Sequence, residues 1–492
     1  MRDYVKNLFG IIFSIVFFQN LYGQVSEVKL KQLIKEIDRD NYTSAEQYSF
    51  LSPIVEDVSL VMLGESIHLT HEFPLVRIGM IKYLNENENY NIIAMEGGAA
   101  DIWVAQDILF DSQKEEADFK KATSGFFFIW NTPEIQKLIE YQASSLGTSN
   151  PLYITAYDVQ QGTGQGSKNT KVFEMLAERL SYYSKPPTDF DLEKWLDQIS
   201  PITFHCMKYN SSDYHEAISA INILEEWIQT AAPKVKKQYP NIPHDVVLKS
   251  MPDNFRASLS LCETLGGFNL SRYKVVRDSL SYINTLDLIK SAPNNKIIIW
   301  AHLSHVYYDS YDNIIPEVGE WNDIAVGPTV GERLKKKLGS KVYTIIPFAE
   351  SGKTILIYND LNLDIGYGKI TNDQSDFGKL FTQLSQKDFF LDLNSSNLSK
   401  EKNPRLFSKQ LFLIEGMGEL YLNFSSDMDG LIWIKKIGAP DWPRFKIILL
   451  SSLHYKKQLA VVLIVGLGWL VFSKVRKSRN NYSKNTDEVG QI

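Results

Sequence analysis

Leu60-Val61-Met62-Leu63-Gly64-Glu65-Ser66-Ile67-His68-Leu69-Thr70-His71-Glu72-Phe73 carries a short apolar run straight into two carboxylates and two imidazoles. An unbroken apolar run of this length suits a strand buried on both faces, as in a parallel sheet. In open parallel sheets the ligand crevice lies outside the carboxyl ends of the strands, so polar residues that follow such a strand converge there. Three more segments repeat the pattern. Asn91-Ile92-Ile93-Ala94-Met95 ends in Glu96, Leu152-Tyr153-Ile154-Thr155-Ala156-Tyr157 in Asp158, and Lys296-Ile297-Ile298-Ile299-Trp300-Ala301 in His302, with His305 one helical turn on. Any one of these endings is weak evidence, but together they predict a single pocket and an enzyme.

After the first run, Phe73, Val76, Met80, Ile81 and Leu84 recur at helical spacing, which predicts a helix over 71–86 and a βαβ unit. Arg77 shares a face with Phe73, Met80 and Leu84, so its guanidinium is carried toward the core and requires a carboxylate partner. Glu65 and Glu96, at the ends of the flanking strands, are the expected partners. From about 171 to 290 the pattern is mostly helical, and strand patterns return at 342–348, 354–358, 420–424 and 431–435. The last of these are expected to extend the sheet edge. The fold class that follows is α/β: a mostly parallel central sheet flanked by helices, with an inserted helical cap (about 165–290) over the C-terminal strand ends. The Gly-rich segment 162–167 has the spacing of neither phosphate-binding motif and reads as a flexible connection.

A chain of 492 residues with 44% hydrophobic content can bury a large core. Its 52 basic and 58 acidic residues give a net charge of -6 and no basic block in the main body, so the expected partner is a small molecule and not a nucleic acid. Arg2 and Lys6 precede the apolar residues 8–18, and Leu21-Tyr22-Gly23 offers a cleavage point, so 1–23 reads as a signal peptide. The main domain is then 24–440. Residues 459–472 form an apolar stretch between Lys456-Lys457 and the cluster Lys474, Arg476, Lys477, Arg479. At ~1.5 Å per residue it covers roughly 21 Å of a ~30 Å hydrocarbon core, a short span whose flanking lysines must snorkel. The expectation is a juxtamembrane linker at 441–457, a transmembrane helix at 458–475 and a basic, polar cytoplasmic tail at 476–492. The body of the protein would be exported and held to the membrane through that helix. Cys206 and Cys262 are the two cysteines, and their spacing leaves a disulfide and two buried thiols equally open.

The segments Gly64 to Phe73 with Arg77 downstream, Ala94-Met95-Glu96, Phe128-Ile129-Trp130-Asn131-Thr132-Pro133-Glu134, Tyr157-Asp158-Val159-Gln160, Trp300-Ala301-His302-Leu303-Ser304-His305 and 343–352 resemble, in the same order, the successive signatures of the erythromycin esterase family. The resemblance runs from about 58 to 435 and is weakest over 171–290. It implies an ester hydrolase, best known for opening macrolide lactones, that uses a histidine as general base on water, with no serine nucleophile and no metal. By matched position His68 is that base and Glu65 its neighbour, while Arg77, Glu96, His302 and His305 are the other pocket groups. Ile67 and Leu69 stand where the family usually has smaller residues, which narrows the expected pocket. Macrolides themselves are not implied by the match.

The residues support the same chemistry without the family. A histidine of near-neutral pKa held by a carboxylate can take a proton from water, and His68 with Glu65 fits that pairing. Arg77 or the His302/His305 pair can donate to the developing oxyanion or to the leaving alcohol. Asp158 and His71 are the expected substrate-binding groups. No GxSxG elbow occurs, which argues against a serine hydrolase. No cofactor is expected. The alternative is a membrane-tethered metallohydrolase or peptidase, since Glu65, His68, His71, Glu72, His302 and His305 offer donors for zinc, although their spacing is not HExxH. Glu65, Glu96 and Arg77 also suit a purely structural ion network, and an anchored binding protein that kept the pocket without the reaction has the same sequence. His205, His215, His244 and His454 sit in no motif and read as surface or packing residues.

Overall fold

The computed structural model describes residues 30–111, 116–123, 126, 129–161, 170–202, 211–266, 270–292, 296–308, 327–359, 364–396, 398, 406, 410–414 and 418–442. The expected signal peptide, the 162–167 connection, the transmembrane helix with its tail, Cys206, His205 and His454 lie outside the described residues. No helix among the described residues is long and apolar enough to cross a membrane.

The molecule is an α/β fold built on a mixed, mostly parallel sheet. In chain order its strands are β1 (Lys35–Ile37), β2 (Leu60–Leu63), β3 (Tyr90–Met95), β4 (Tyr153–Ala156), β5 (Lys296–Trp300), β6 (Val342–Asn359), β7 (Asp364–Thr371), β8 (Asp388–Asp392) and β11 (Gly430–Ile437). Strands β9 (Gln410–Ile414) and β10 (Gly418–Leu422) form a separate antiparallel pair. The main sheet runs β1-β8-β11-β6-β2-β5-β3-β4, with β7 paired to β6. Along that path every neighbouring pair from β11 to β4 is parallel, and β8 runs antiparallel to both β1 and β11. All four residues of β2 are buried, as an unbroken apolar run requires of a strand covered on both faces.

The strand order differs from the sequence expectation at one side. β11 lies inside the sheet, parallel to β6 and antiparallel to β8, and β1 takes the edge. Trp433, Leu431, Ile432 and Ile434 are all fully buried, which an edge position would not provide. The two strand patterns at 342–348 and 354–358 merge into the single strand β6.

Helix Glu72–Glu88 links β2 to β3, and Asn89 in the left-handed conformation ends it. Its expected inner face is correct: Phe73, Arg77, Met80 and Leu84 are wholly buried. Helices Lys171–Tyr183, Leu192–Ile199, Ser211–Gln238, His244–Gly266 and Leu270–Ser291 fill the chain between β4 and β5. Cys262, inside this group, is buried and disulfide-bonded.

The chain divides into two compact units, Met1–Thr354 with Lys369–Asp441, and Ile355–Gly368 with Trp442–Ile492. All of the site residues below belong to the first. The described part of the second is the far end of the β6–β7 pairing and Trp442.

Candidate active site

Neighbouring strands β2, β5, β3 and β4 end level with one another, because Leu63 pairs with Trp300, Trp300 with Met95 and Met95 with Ala156. The residues that leave the sheet at that line are Gly64-Glu65, Ala301-His302, Glu96 and Tyr157-Asp158. Their backbones stay tied beyond the strands: Gly64 N donates to Ile345 O at 2.8 Å, Glu96 N to Trp300 O at 2.8 Å and Leu303 N to Glu65 O at 2.8 Å. Gly64 is required here, since a Cβ would lie 2.9 Å from Ile346 Cγ1 and 3.0 Å from Val306 Cγ2. Downstream, Leu69 adopts φ 56°, a left-handed conformation that costs a non-glycine residue about 1–3 kcal/mol. Thr354 Oγ1 donates to its carbonyl.

Glu65 uses both oxygens. Oε1 lies 2.6 Å from His68 Nδ1, and Oε2 accepts from Arg77 Nη2. Arg77 has no solvent exposure, and its guanidinium carbon sits 3.6 Å from the centroid of the Trp300 ring. Burial pulls its pKa down to about 10 against the pull of Glu65 and Glu96, which leaves it charged at neutral pH. Glu65 is 1% exposed, while the His68 side chain keeps 17% of its surface, so the imidazole is the member of the trio that solvent reaches. The His68 ring meets Trp130 edge-on at 5.3 Å and His302 at 4.6 Å between centroids.

Glu96 is the hub of a second set. Its Oε2 accepts from His302 N at 2.7 Å; its Oε1 accepts from Arg277 Nη2 at 3.0 Å and lies 3.3 Å from His305 Nε2. Burial would raise the Glu96 pKa, but His305 and Arg277 outweigh it and hold the carboxyl well below its ordinary range. Arg277 Nε also donates to Asp158 Oδ1 at 3.0 Å, and Ser281 Oγ reaches the same oxygen at 3.3 Å. His305 Nδ1 lies 2.6 Å from Asp278 Oδ1. Burial opposes the charge on His305, yet Asp278 and Glu96 raise its pKa to about 9. His302 behaves oppositely: burial, then the neighbouring His68, push it well below the ordinary imidazole value. Its Nδ1 accepts from Ser304 N at 3.2 Å, as a neutral ring allows.

The structure therefore brings together Glu65, His68, Arg77, Glu96, Asp158, His302 and His305, with Arg77 buried beneath Glu65 and Asp158 paired to Arg277. His71 joins a different group. Its Nδ1 lies 2.7 Å from Glu134 Oε1 and 3.4 Å from Asp441 Oδ2, and the Glu134 hydrogen bond raises its pKa. Among the described residues, His71, Glu134 and Asp441 are the trio whose donor atoms crowd within 4.8 Å of one another; the strand-end histidines and carboxylates form no such trio. His244 is buried, stacked on Trp103 at 4.7 Å and 3.1 Å from Asp107, a packing role, and His215 is exposed.

Arg277 and Asp278, from the last helix before β5, were not anticipated as site residues. Their only local signal is a basic-acidic pair in a helix, which usually faces solvent. Trp130, which the resemblance includes without assigning it a role, donates its Nε1–H to Glu96 O at 2.6 Å.

A family model described as "Erythromycin esterase" matches residues 85–437. The chain is 23% identical over 422 residues to "Putative hydrolase YbfO" of Bacillus subtilis (strain 168), covering 82% of this chain and 88% of that protein. It is 22% identical over 320 residues to erythromycin esterase type I of Escherichia coli, covering 63% and 74%. A solved structure of a mutant of the erythromycin esterase EreC, in its open conformation, shares the fold with a TM-score of 0.54 at 15% identity, over 80% of this chain and 95% of that one.

Proposed function

The chain belongs to the erythromycin esterase family, and we propose from that premise that it hydrolyses a carboxylic ester or lactone with water activated by His68. The observation that carries this reading is the 2.6 Å contact between Glu65 Oε1 and His68 Nδ1. A carboxylate at Nδ1 holds the neutral ring's proton there, so the lone pair sits on Nε2, the nitrogen that takes a proton from attacking water. Arg77 pairs with Glu65 and holds it in place. Buried as it is, it acts by positioning and does not touch substrate. Proton transfer makes His68 cationic next to Glu65, which stabilises the charge as it forms. His302 stays neutral and hydrogen-bonds the leaving oxygen, which receives the proton His68 took from water, while protonated His305 supplies positive potential where the carbonyl oxygen becomes an anion. Asp158 acts through Arg277, and the cap helices shape the pocket around the substrate's remaining groups.

The test is hydrolysis of a panel of aryl esters and macrolactones by the full chain, with and without chelator, beside His68→Ala. Turnover that survives chelator and disappears in the variant supports the reading. Turnover lost to chelator and restored by zinc favours the metallohydrolase, and ligand binding without turnover favours a binding protein.

A further inference from the structure

We propose that His71, Glu134 and Asp441 form a divalent-cation site, with zinc the ion their donors suit best, independent of the hydrolase reading and separate from the strand-end centre. Three potential ligand atoms, one from each residue, lie within 4.8 Å of one another. Zinc with bonds of about 2.0–2.1 Å in tetrahedral geometry sets neighbouring ligand atoms roughly 3.3 Å apart. His71 Nδ1 and Asp441 Oδ2 are already 3.4 Å apart, and Glu134 Oε1, 2.7 Å from the same nitrogen, needs only a small outward shift.

An independent observation points to a missing ligand. Glu134 has no solvent exposure, and its Oε2 has no hydrogen-bond partner. A buried carboxylate with one unsatisfied oxygen carries a desolvation cost that protein groups usually offset. A cation chelated by both carboxylate oxygens, Oε2 as well as Oε1, removes it. The site is also open to entry, since the His71 and Asp441 side chains are 28% and 67% exposed and water can complete the coordination shell. One imidazole with two carboxylates suits zinc better than magnesium or calcium, which favour all-oxygen shells.

The scaffold for these ligands is in place without the ion. Asp441 N donates to Glu134 Oε1 at 2.8 Å, His71 N to Gly438 O at 2.9 Å, and Gly438 N to Glu72 Oε2 at 2.8 Å. The three ligands come from the entry to helix Glu72–Glu88, the first turn of helix Pro133–Ser145 and the segment after β11. A bound zinc clasps those three segments.

The full chain, stripped with chelator, is dialysed against zinc and separately against magnesium, and the metal retained and the melting temperature are recorded. Wild type is expected to retain one zinc per chain, to gain melting temperature with it by linkage, and to retain no magnesium. His71→Ala and Asp441→Ala are expected to weaken zinc retention roughly tenfold or more and to abolish the zinc-dependent rise, while circular dichroism shows them folded. His68→Ala is expected to bind zinc as wild type does. No zinc on wild type, retention unchanged in both site variants, or loss confined to His68→Ala would each overturn the proposal.

Discussion

His305 Nδ1 lies 2.6 Å from Asp278 Oδ1, so an imidazole at the tip of β5 owes its charge to a residue of the helix that precedes that strand. The His305 pKa is raised to about 9 from an ordinary 6.5. The folded state holds a proton that the unfolded chain has lost, so the contribution of this pair is complete below about pH 6.5 and disappears as pH rises through about 9. Urea melts across that window should show wild type losing stability with rising pH and Asp278→Asn losing much less. Identical slopes in the two proteins would remove the basis for a charged His305.

The Glu65–His68 pair makes a kinetic prediction. His68→Gln preserves a polar side chain but cannot accept a proton at the ring nitrogen, so kcat should fall about 10²–10⁴-fold with little change in KM. A drop in substrate affinity at constant kcat would reassign His68 to binding.

Arg77 is predicted to be worth more to the fold than an exposed ion pair. Arg77→Met leaves Glu65 buried without its cation, and removing one partner of a buried pair costs about 3–5 kcal/mol. Arg77→Lys should recover little, because a point charge cannot reach Glu65 Oε2 and cover Trp300 as the planar guanidinium does. The melting temperatures of the two variants decide this.

Arg277 and His305 together hold the Glu96 carboxyl in its charged form. They keep its pKa well below the ordinary value, so Glu96 remains charged until the medium is strongly acidic. In Arg277→Gln the Glu96 pKa should rise, which a carboxyl titration followed by NMR in wild type and variant reads directly. An unchanged Glu96 titration would mean Arg277 does not hold that carboxyl's charge.

Gly64→Ala is expected to cost about 1–3 kcal/mol, as overpacking does, and to displace Glu65. Its new methyl lies 2.9 Å from Ile346 Cγ1 and 3.0 Å from Val306 Cγ2, both on fully buried side chains.

Much of this centre was legible in sequence because each strand announces its own ending. β2, β3, β4 and β5 are apolar runs stopped by an ionisable residue, and that local signal is what the sheet converts into proximity. Arg77 was legible by helical phase, and Glu65 was among its expected partners. Arg277 and Asp278 were not, because a charged pair on a helix looks the same whether it faces water or a carboxylate from another strand. Asp441 escaped for a related reason: its link to His71 spans most of the chain and leaves no local pattern. The place of β11 was misjudged because burial on both faces, and not position in the chain, decides whether a strand is interior.

The position of β2 also governs how the chain can fold. Its hydrogen-bonding neighbours are β5 and β6, both more than two hundred residues later, while β3, next in sequence, lies beyond β5. During synthesis this wholly apolar strand therefore emerges ahead of every parallel strand it joins and waits with both edges open until residues past Lys296 arrive. Pairings this distant fold slowly and leave the nascent chain exposed to aggregation. A fragment ending before β5 cannot assemble the sheet centre, so the protein should depend on chaperones through most of its elongation.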